Sequence, residues 1–176
     1  MVAALLLFLA SATAHAAAPA GQVPHHRNPE PLVVLPGQAP AYRGQQGRQS
    51  DITELLATSE QTGGKLGIFR QTIAPGSGPP THIHMREVEF LYVLSGDFKV
   101  RVAGRDRQVP VGTFMFVPRM TAHTFKNVGS QPGVLLFGVS AGGLEKMFAE
   151  RQDVDAATNM KLMKKYHMVA VGPPIP

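Results

Sequence analysis

The chain has 176 residues, a length that suits one domain with a single hydrophobic core. It contains no cysteine, which excludes disulfides, zinc–thiolate sites and cysteine nucleophiles. Its formal net charge of +5 comes from scattered basic residues, without a zinc finger, an RNA-binding aromatic run or a basic zipper helix, so we expect no nucleic-acid partner.

Residues 1–16 have the pattern of a secretory signal peptide. An apolar run from Val2 to Ala10 is too short to span a bilayer, and Ala14-His15-Ala16 resembles a small-x-small cleavage site. No lysine or arginine precedes the apolar run, and a disordered alanine-rich extension is the alternative interpretation. If the segment is cleaved, we expect a periplasmic or secreted protein without a stable membrane anchor; otherwise we expect a cytoplasmic one.

Residues 17–50 are predicted to form a linker or an N-terminal arm. They are rich in proline, glycine and glutamine and contain few apolar clusters. The composition changes at Asp51, and the following residues, 52–57, are compatible with a short helix or a strand. Gly63-Gly64 then interrupts the chain.

Short β-type runs follow in close succession, each bounded by glycine, proline or aspartate. Because no helical pattern separates them, they predict an all-β sandwich or barrel over residues 51–142 rather than βαβ units. The predicted strands are residues 66–74, 88–94, 97–102, 113–117, 122–126 and 134–139.

The remaining residues, 143–176, are predicted to be a C-terminal helical extension and tail. An apolar stripe behind Gly142-Gly143 predicts a helix over residues 144–151. A second helical stretch is predicted over residues 156–166, and Gly-Pro-Pro-Ile-Pro ends the chain.

The stretch THIHMREVEFLYVLSG, which begins at Thr81, combines two histidines with nearby acids. His82 and His84 are two residues apart, so on a strand their side chains share one face, about 7 Å apart. Two imidazoles placed in this way can converge on one ion at about 2.1 Å. Glu89 lies at an odd offset from His84, so we expect a bend within residues 85–88 before a new strand begins.

A third histidine, His123, stands at the start of a predicted strand and shares its face with Phe125 and Asn127. Three neutral imidazoles and one carboxylate form a ligand set that suits a divalent first-row transition metal. A single histidine is more commonly an ordinary polar residue, so the combination carries the prediction. The predicted ligands are His82, His84, Glu89 and His123.

These residues resemble the two sequence motifs of the cupin family. Gly76-x5-His82-x-His84-x4-Glu89-x6-Gly96 fits the first motif at each fixed position. The second motif fits Gly112-x5-Pro118-x-Met120-x2-His123-x3-Asn127, with one departure. The flanking segments LLATSEQTGG and SAGGLEKMFAE extend the likeness to small, single-domain, quercetinase-like cupins over about residues 51–176.

The departure is Met120, which stands where the family has glycine. Glycine there would allow a positive φ, which methionine resists, so we expect a different loop shape or a methionine side chain near the mouth of the cavity. Glu87 matches an acidic doublet that is frequent in the family. We expect it beside the site or at the surface rather than as a ligand.

The resemblance implies a cupin β-barrel or jelly roll with a short C-terminal helical segment. It also implies that one divalent transition metal ion is bound, with iron, manganese, nickel, cobalt, copper and zinc all left open. The ligands that the resemblance assigns to this ion are His82, His84, Glu89 and His123.

The resemblance further implies a dioxygenase, in which an aromatic or enolisable substrate binds the metal through oxygen and then reacts with O2. Glu89 is the predicted general base, and Phe125 is the predicted substrate contact, with a plain core position as its alternative. Two other functions stay open: a non-catalytic, exported metal- or ligand-binding cupin, and a metal-dependent isomerase or decarboxylase.

A homodimer is the expected assembly. Short edge strands with apolar residues need to be covered, and the N-terminal arm can add a strand to a neighbour's sheet.

A competing motif is Gly138-Val139-Ser140-Ala141-Gly142, which matches the G-x-S-x-G nucleophile elbow of α/β-hydrolases. That fold requires a parallel sheet built from βαβ units, and no convincing helix precedes Ser140. Only 36 residues follow Ser140, too few for the remaining strands and the triad. We therefore interpret the match as coincidence.

Overall fold

The computed structural model describes residues 29–176, so the predicted signal peptide lies outside the described residues. Residues 29–176 form eleven strands and two helices. The strands are β1 (Ala41–Arg43), β2 (Ile52–Ala57), β3 (Gly67–Ile73), β4 (Thr81–His84), β5 (Val88–Ser95), β6 (Phe98–Val102), β7 (Arg105–Val109), β8 (Phe114–Val117), β9 (His123–Asn127), β10 (Gly133–Ser140) and β11 (Met168–Gly172). The helices are α1 (Glu145–Glu150) and α2 (Ala156–Lys165).

The strands pair antiparallel in two sheets. Sheet A has the order β1-β2-β3-β10-β5-β8, and sheet B has the order β11-β4-β9-β6-β7. The chain passes repeatedly from one sheet to the other, as in a jelly roll. The predicted class, all-β with a short C-terminal helical segment, is confirmed.

Alternation of side chains gives each sheet one buried face. In β5, Leu91 and Val93 are buried, while Tyr92 and Leu94 between them are exposed. The buried faces of the two sheets meet in a single core. Burying one large apolar side chain in such a core stabilises the fold by about 1.5–3 kcal/mol.

The two predicted helices are confirmed, and α1 packs on the core. The Phe148 ring of α1 lies 5.0 Å from that of Phe69, which itself stacks on Phe137 with centroids 4.7 Å apart. At the start of α2, the Asp155 side chain accepts a hydrogen bond from the Thr158 amide, which caps the helix. No helix within residues 29–176 is long and apolar enough to cross a membrane.

The sheets extend beyond residues 51–142 in both directions. β1 lies within the predicted arm and pairs with β2, and β11 lies within the predicted helical extension and pairs with β4. Edge strand β7 is also additional to the predicted set; its residues, RDRQV, are almost entirely exposed. Short or charged edge strands lack the apolar alternation by which strands are recognised.

The G-x-S-x-G match ends strand β10. This strand pairs antiparallel with both β3 and β5, whereas a nucleophile elbow follows a strand of a parallel sheet. The interpretation of the match as coincidence is therefore confirmed.

Candidate metal centre

A bend between β4 and β5 brings His82, His84 and Glu89 together. β4 ends in sheet B at His84, the chain bends at Met85 and Arg86, and β5 continues in sheet A. The change of sheet restarts the alternation of side chains, so Glu89 faces the interior despite its odd offset. The predicted bend is confirmed.

His123 completes the cluster from strand β9, which lies next to β4. His123 is directly opposite His82 in the ladder, and the two rings have centroids 4.4 Å apart. One ligand atom from each of the four predicted residues lies within 4.8 Å of the others, and all four side chains are buried. Atoms bound to one ion at about 2.1 Å are at most about 4.2 Å apart, so a contraction of less than about 1 Å would suffice. The cluster therefore fits a single metal site.

Backbone carbonyls orient two of the histidines. Nδ1 of His82 donates to the Pro80 carbonyl at 2.9 Å, and Nδ1 of His123 donates to the Thr121 carbonyl at 2.8 Å. A neutral ring that donates from Nδ1 keeps a lone pair on Nε2, which is the form that binds a metal.

Within the cluster, His84 and Glu89 have buried polar atoms that the surrounding protein leaves without a suitable partner. Both ring nitrogens of His84 are buried without a hydrogen bond from residues 29–176, although Nε2 lies 3.2 Å from Oε2 of Glu89. The same Oε2 lies 2.6 Å from Nε2 of His123. Because neutral His123 donates from Nδ1, these two atoms are both acceptors, and a proton or a metal ion must lie between them.

The surroundings of His82 and His84 shift the pKa values of these two histidines in opposite directions. Burial, reinforced by the neighbouring His123, lowers the pKa of His82 to about 3, so His82 is neutral at pH 7. Burial opposes charge on His84 too, but the carboxylates of Glu87 and Glu89 outweigh it and raise the pKa of His84 to about 9. Burial alone would raise the pKa of Glu89, yet its contacts with His123 and His84 hold it well below the ordinary value. Without a metal, the cluster therefore retains a proton that a divalent ion can replace.

Glu87 is buried beside the cluster, with Oε2 3.7 Å from Nδ1 of His84. This position agrees with the expectation that it accompanies the site. Its carboxylate faces the side of the His84 ring opposite to Glu89, so it can orient that ring.

A largely apolar cavity opens beside the cluster. The centre of a water molecule can occupy about 40 Å³ of this cavity. The total space between the protein atoms is roughly 400 Å³, but this volume includes open solvent. Since one water needs about 10–15 Å³ by the first of these measures, the cavity as it stands holds a few waters or a small organic molecule. Phe125 lines this cavity and also belongs to the hydrophobic core, which agrees with both predicted positions for this residue.

Several cavity residues come from outside the predicted barrel and were missed in the sequence. Arg48 precedes β2, and Met168 begins β11. Met147 and Phe148 belong to α1, whose apolar stripe was the one available signal, and Arg151 follows that helix. No local pattern links these segments to the two motifs.

Met120 adopts a left-handed backbone conformation, which is more usual for glycine. Its φ is 62°, and its amide donates to the His84 carbonyl at 2.9 Å. This hydrogen bond ties the loop to the strand that carries two histidines. The Met120 side chain is exposed and does not line the cavity, and the loop keeps a positive φ at this position.

Comparisons with known proteins agree with the geometry. Residues 69–139, which include all four clustered residues, match a family model described as a cupin domain. The tetracenomycin polyketide synthase protein TcmJ of Streptomyces glaucescens is 28% identical over 109 residues, or 61% of this chain and 70% of that protein. Protein SchB of Streptomyces halstedii is 29% identical over 92 residues, or 51% of this chain and 65% of that protein.

Among solved structures, an RmlC-like cupin from Shewanella frigidimarina aligns with a TM-score of 0.55. The alignment covers 66% of this chain and 96% of that one, at 19% sequence identity. At this level of identity the likeness concerns the fold.

Proposed function

We propose that this chain, in which residues 69–139 match the cupin-domain family model, is a metal-dependent oxidoreductase of the quercetinase-like dioxygenase type. Its substrates would be a small aromatic or enolisable molecule and O2. One observation carries the proposal: three imidazoles and one carboxylate, all buried, place their ligand atoms within 4.8 Å of one another beside an apolar cavity.

The clustered residues divide the work in this proposal. His82, His84 and His123 hold the ion through ring nitrogens, and Glu89 adds one carboxylate oxygen. A bound divalent ion supplies Lewis acidity, which lowers the pKa of a substrate hydroxyl or enol. Glu89 is the proposed general base: one carboxylate oxygen would bind the ion, and the other would accept the proton that the substrate releases.

The cavity supports a small substrate. Its walls are mainly apolar, with Phe125 among them, and they would surround the reacting group of a small molecule. A multi-ring flavonol exceeds the present space of a few waters, whereas a compact enolisable molecule does not. The relative in Streptomyces glaucescens is named a polyketide synthase protein, and polyketide chains carry alternating carbonyl groups that enolise readily.

Elemental analysis tests the metal centre. We expect close to one transition metal ion per chain in the purified protein and a loss of most of it in His84→Ala. His167→Asn is the matched control, because His167 lies outside the cluster and asparagine tolerates its positive φ of 59°. Equal metal content in His84→Ala and the unchanged protein would contradict the proposed site.

Turnover assays separate the possible reactions. We would follow the loss of a flavonol and of a small 1,3-diketone together with O2 uptake, under air and under argon. We expect loss of the 1,3-diketone with O2 uptake under air, and no loss of either compound under argon. Turnover that persists under argon would refute the dioxygenase, and a fully metal-loaded protein that consumes neither compound would refute the oxidation of these two substrates.

A further inference from the structure

We propose that Arg151, together with Arg48, forms a carboxylate-binding end of the cavity, so that the substrate is a small organic monoanion. The carboxylate would lie at the two arginines, and the reacting part of the molecule would face the cluster of three histidines and Glu89. This inference rests on the proposed function, because it assigns a substrate class to the same cavity.

Arg151 is a half-buried cation that forms no ion pair within residues 29–176. It lines the same cavity as His82, His84 and Glu89, and its Nε is buried without a hydrogen bond from residues 29–176. No carboxylate of those residues forms an ion pair with Arg151, and residues 1–28 contain no aspartate or glutamate. Burying an unpaired charge costs free energy, which an anionic ligand in the cavity would offset.

A neighbouring aromatic ring orients Arg151 without satisfying it. The guanidinium carbon lies 4.5 Å from the centroid of Phe148, so one face of the group is covered. The N–H donors lie in the plane of the guanidinium and stay free for a planar, two-oxygen acceptor. Burial lowers the pKa of Arg151 to about 9; the charge of Arg48 adds to this effect, and the carboxylate of Asp51 opposes it.

Arg48 is held and neutralised by Asp51. Its Nη2 lies 2.6 Å and its Nε 2.8 Å from Oδ2 of Asp51, and Nε also donates to Ser77 at 2.9 Å. The buried Asp51 carboxylate is fixed in turn by the Ala74 amide at 2.9 Å and the Ser77 hydroxyl at 2.6 Å. Two guanidinium groups and one carboxylate leave a single net positive charge, which matches a carboxylate better than a phosphate dianion.

The two arginines come from segments that are joined to each other. The amide of Gln46 donates to the Val154 carbonyl at 2.9 Å, and the amide of Asp153 donates to the Gly44 carbonyl at 3.2 Å. These hydrogen bonds clamp the loop before β2 against the turn after α1. The backbone hydrogen bonds therefore fix the positions of the two segments that carry Arg48 and Arg151.

A matched pair of ligands tests the proposal. 2-Oxobutanoate and 2-oxobutanamide have the same shape and differ in charge. The protein would be loaded with Zn²⁺, which is not redox-active, so that neither compound is oxidised during the titration. By isothermal titration calorimetry, we expect the acid to bind roughly tenfold or more tightly than the amide, as for a hydrogen bond to a charged group. Arg151→Gln should abolish this preference, and Arg151→Lys should retain part of it.

The control is Arg107→Gln, which removes the same charge from exposed strand β7 and should leave the preference unchanged. Equal binding of acid and amide by the unchanged protein, or a preference that survives in Arg151→Gln, would overturn the proposal. If Arg151→Gln does not fold, titrations of metal-free protein decide instead, because no zinc is then present to bind the carboxylate.

Parallel titrations of metal-free protein test the arginine pair independently of the metal centre. Failure to bind zinc would refute the metal centre alone. If metal-free protein binds the acid more tightly than the amide, this result would still support the arginine pair. If acid and amide bind equally tightly in both the metal-free and the zinc-loaded protein, this result would refute it.

Discussion

His84 and Glu89 set the charge of the metal centre, and their surroundings make metal binding depend on pH. The carboxylates of Glu87 and Glu89 raise the pKa of His84 to about 9, whereas burial keeps His82 neutral. A metal binds only the deprotonated imidazole. Below pH 9, each ion that binds must therefore displace at least one proton.

The expected result is a gain of about tenfold in apparent metal affinity for each unit of pH between 6 and 8.5. Competition titrations with a chelator of known affinity measure this slope. Calorimetry at pH 7 in buffers of different ionisation enthalpy should show the release of at least one proton. An affinity that does not change between pH 6 and pH 8 would contradict the charge state inferred for His84.

Met120 should make the loop less stable than a glycine would. A left-handed conformation costs an L-residue about 1–2 kcal/mol, while glycine adds about 0.5–1 kcal/mol of entropy to the unfolded chain. We therefore expect Met120→Gly to raise the free energy of unfolding by about 0.5–1 kcal/mol in a denaturant titration. The adjacent control, Arg119→Gly, has no positive φ to relieve and should lower it by a similar amount.

Residues with a fixed spacing were predictable, and residues without one were not. The four ligand candidates follow from alternation along two strands and from one bend, which are local properties of the chain. Arg48 and Arg151 are separated by about one hundred residues, and they meet only because the arm and the end of α1 fold onto the same mouth of the barrel. Met120 shows the opposite case, in which a hydrogen bond to the His84 carbonyl overrides local preference.

Among the elements, β11 supports the strand that carries two histidines. The Met85 amide donates to the His167 carbonyl at 2.9 Å. Hydrogen-bonded pairs alternate along an antiparallel ladder, so Ile83 and Val169 form the next such pair. This pair lies between His82 and His84, and without it β4 would lose its support on that side.

Val169→Pro should therefore weaken the metal site from a distance. Proline removes the amide that bonds to Ile83, and we expect about a tenfold loss of metal affinity, as for other changes in the residues that orient metal ligands. The measurement is a chelator competition with unchanged and variant protein.

Arg107→Pro in β7 is the matched control. Arg107 lies in β7, the other edge strand of sheet B, opposite Val100. Val102 and Arg105 flank a two-residue turn and form a hydrogen-bonded pair. Because such pairs alternate along the ladder, Val100 and Arg107 form the next one. Both variants should lose a comparable amount of stability, but this one should bind metal normally. Equal metal affinities in the two variants would show that β11 does not position the ligands.

The elements that were predicted are those with an apolar face. β3 and β5 alternate strictly between buried and more exposed residues, and both were predicted within one or two residues. β1 has three residues, and β7 is charged along most of its length, so neither has a face to detect. β11 alternates only over five residues behind a helix, where a tail is the more usual continuation.

For the whole molecule, the arm and the C-terminal extension complete the cavity. The barrel supplies the cluster and part of the apolar wall, and α1, its following arginine and β11 supply the rest. A truncated protein limited to residues 51–142 would keep the four ligand candidates and lose both arginines. The segments outside the barrel therefore supply both arginines of the proposed carboxylate-binding end, and the barrel supplies the four candidate metal ligands.

The outer faces of the two sheets differ, and this difference favours the expected homodimer. Outside sheet A, edge strand β8 exposes large apolar side chains; Phe114 is 60% and Phe116 is 56% exposed. The outer face of sheet B instead carries ion pairs between Asp106 and the side chains of Lys99 and Arg101. An exposed apolar patch on a sheet edge is typical of a surface that binds another protein.

We propose that two copies pair through this face of sheet A, because an identical patch on a second copy matches it in character and is always present at the same concentration. Light scattering coupled to size-exclusion chromatography at micromolar concentration should then give twice the chain mass. Phe116→Glu should give the mass of one chain, since a buried glutamate pair across a twofold axis is unfavourable. Met160→Glu, which changes an exposed side chain of α2, should remain dimeric. A monomer from the unchanged protein across the micromolar range would refute the pairing, and a dimer from Phe116→Glu would place the interface on another face.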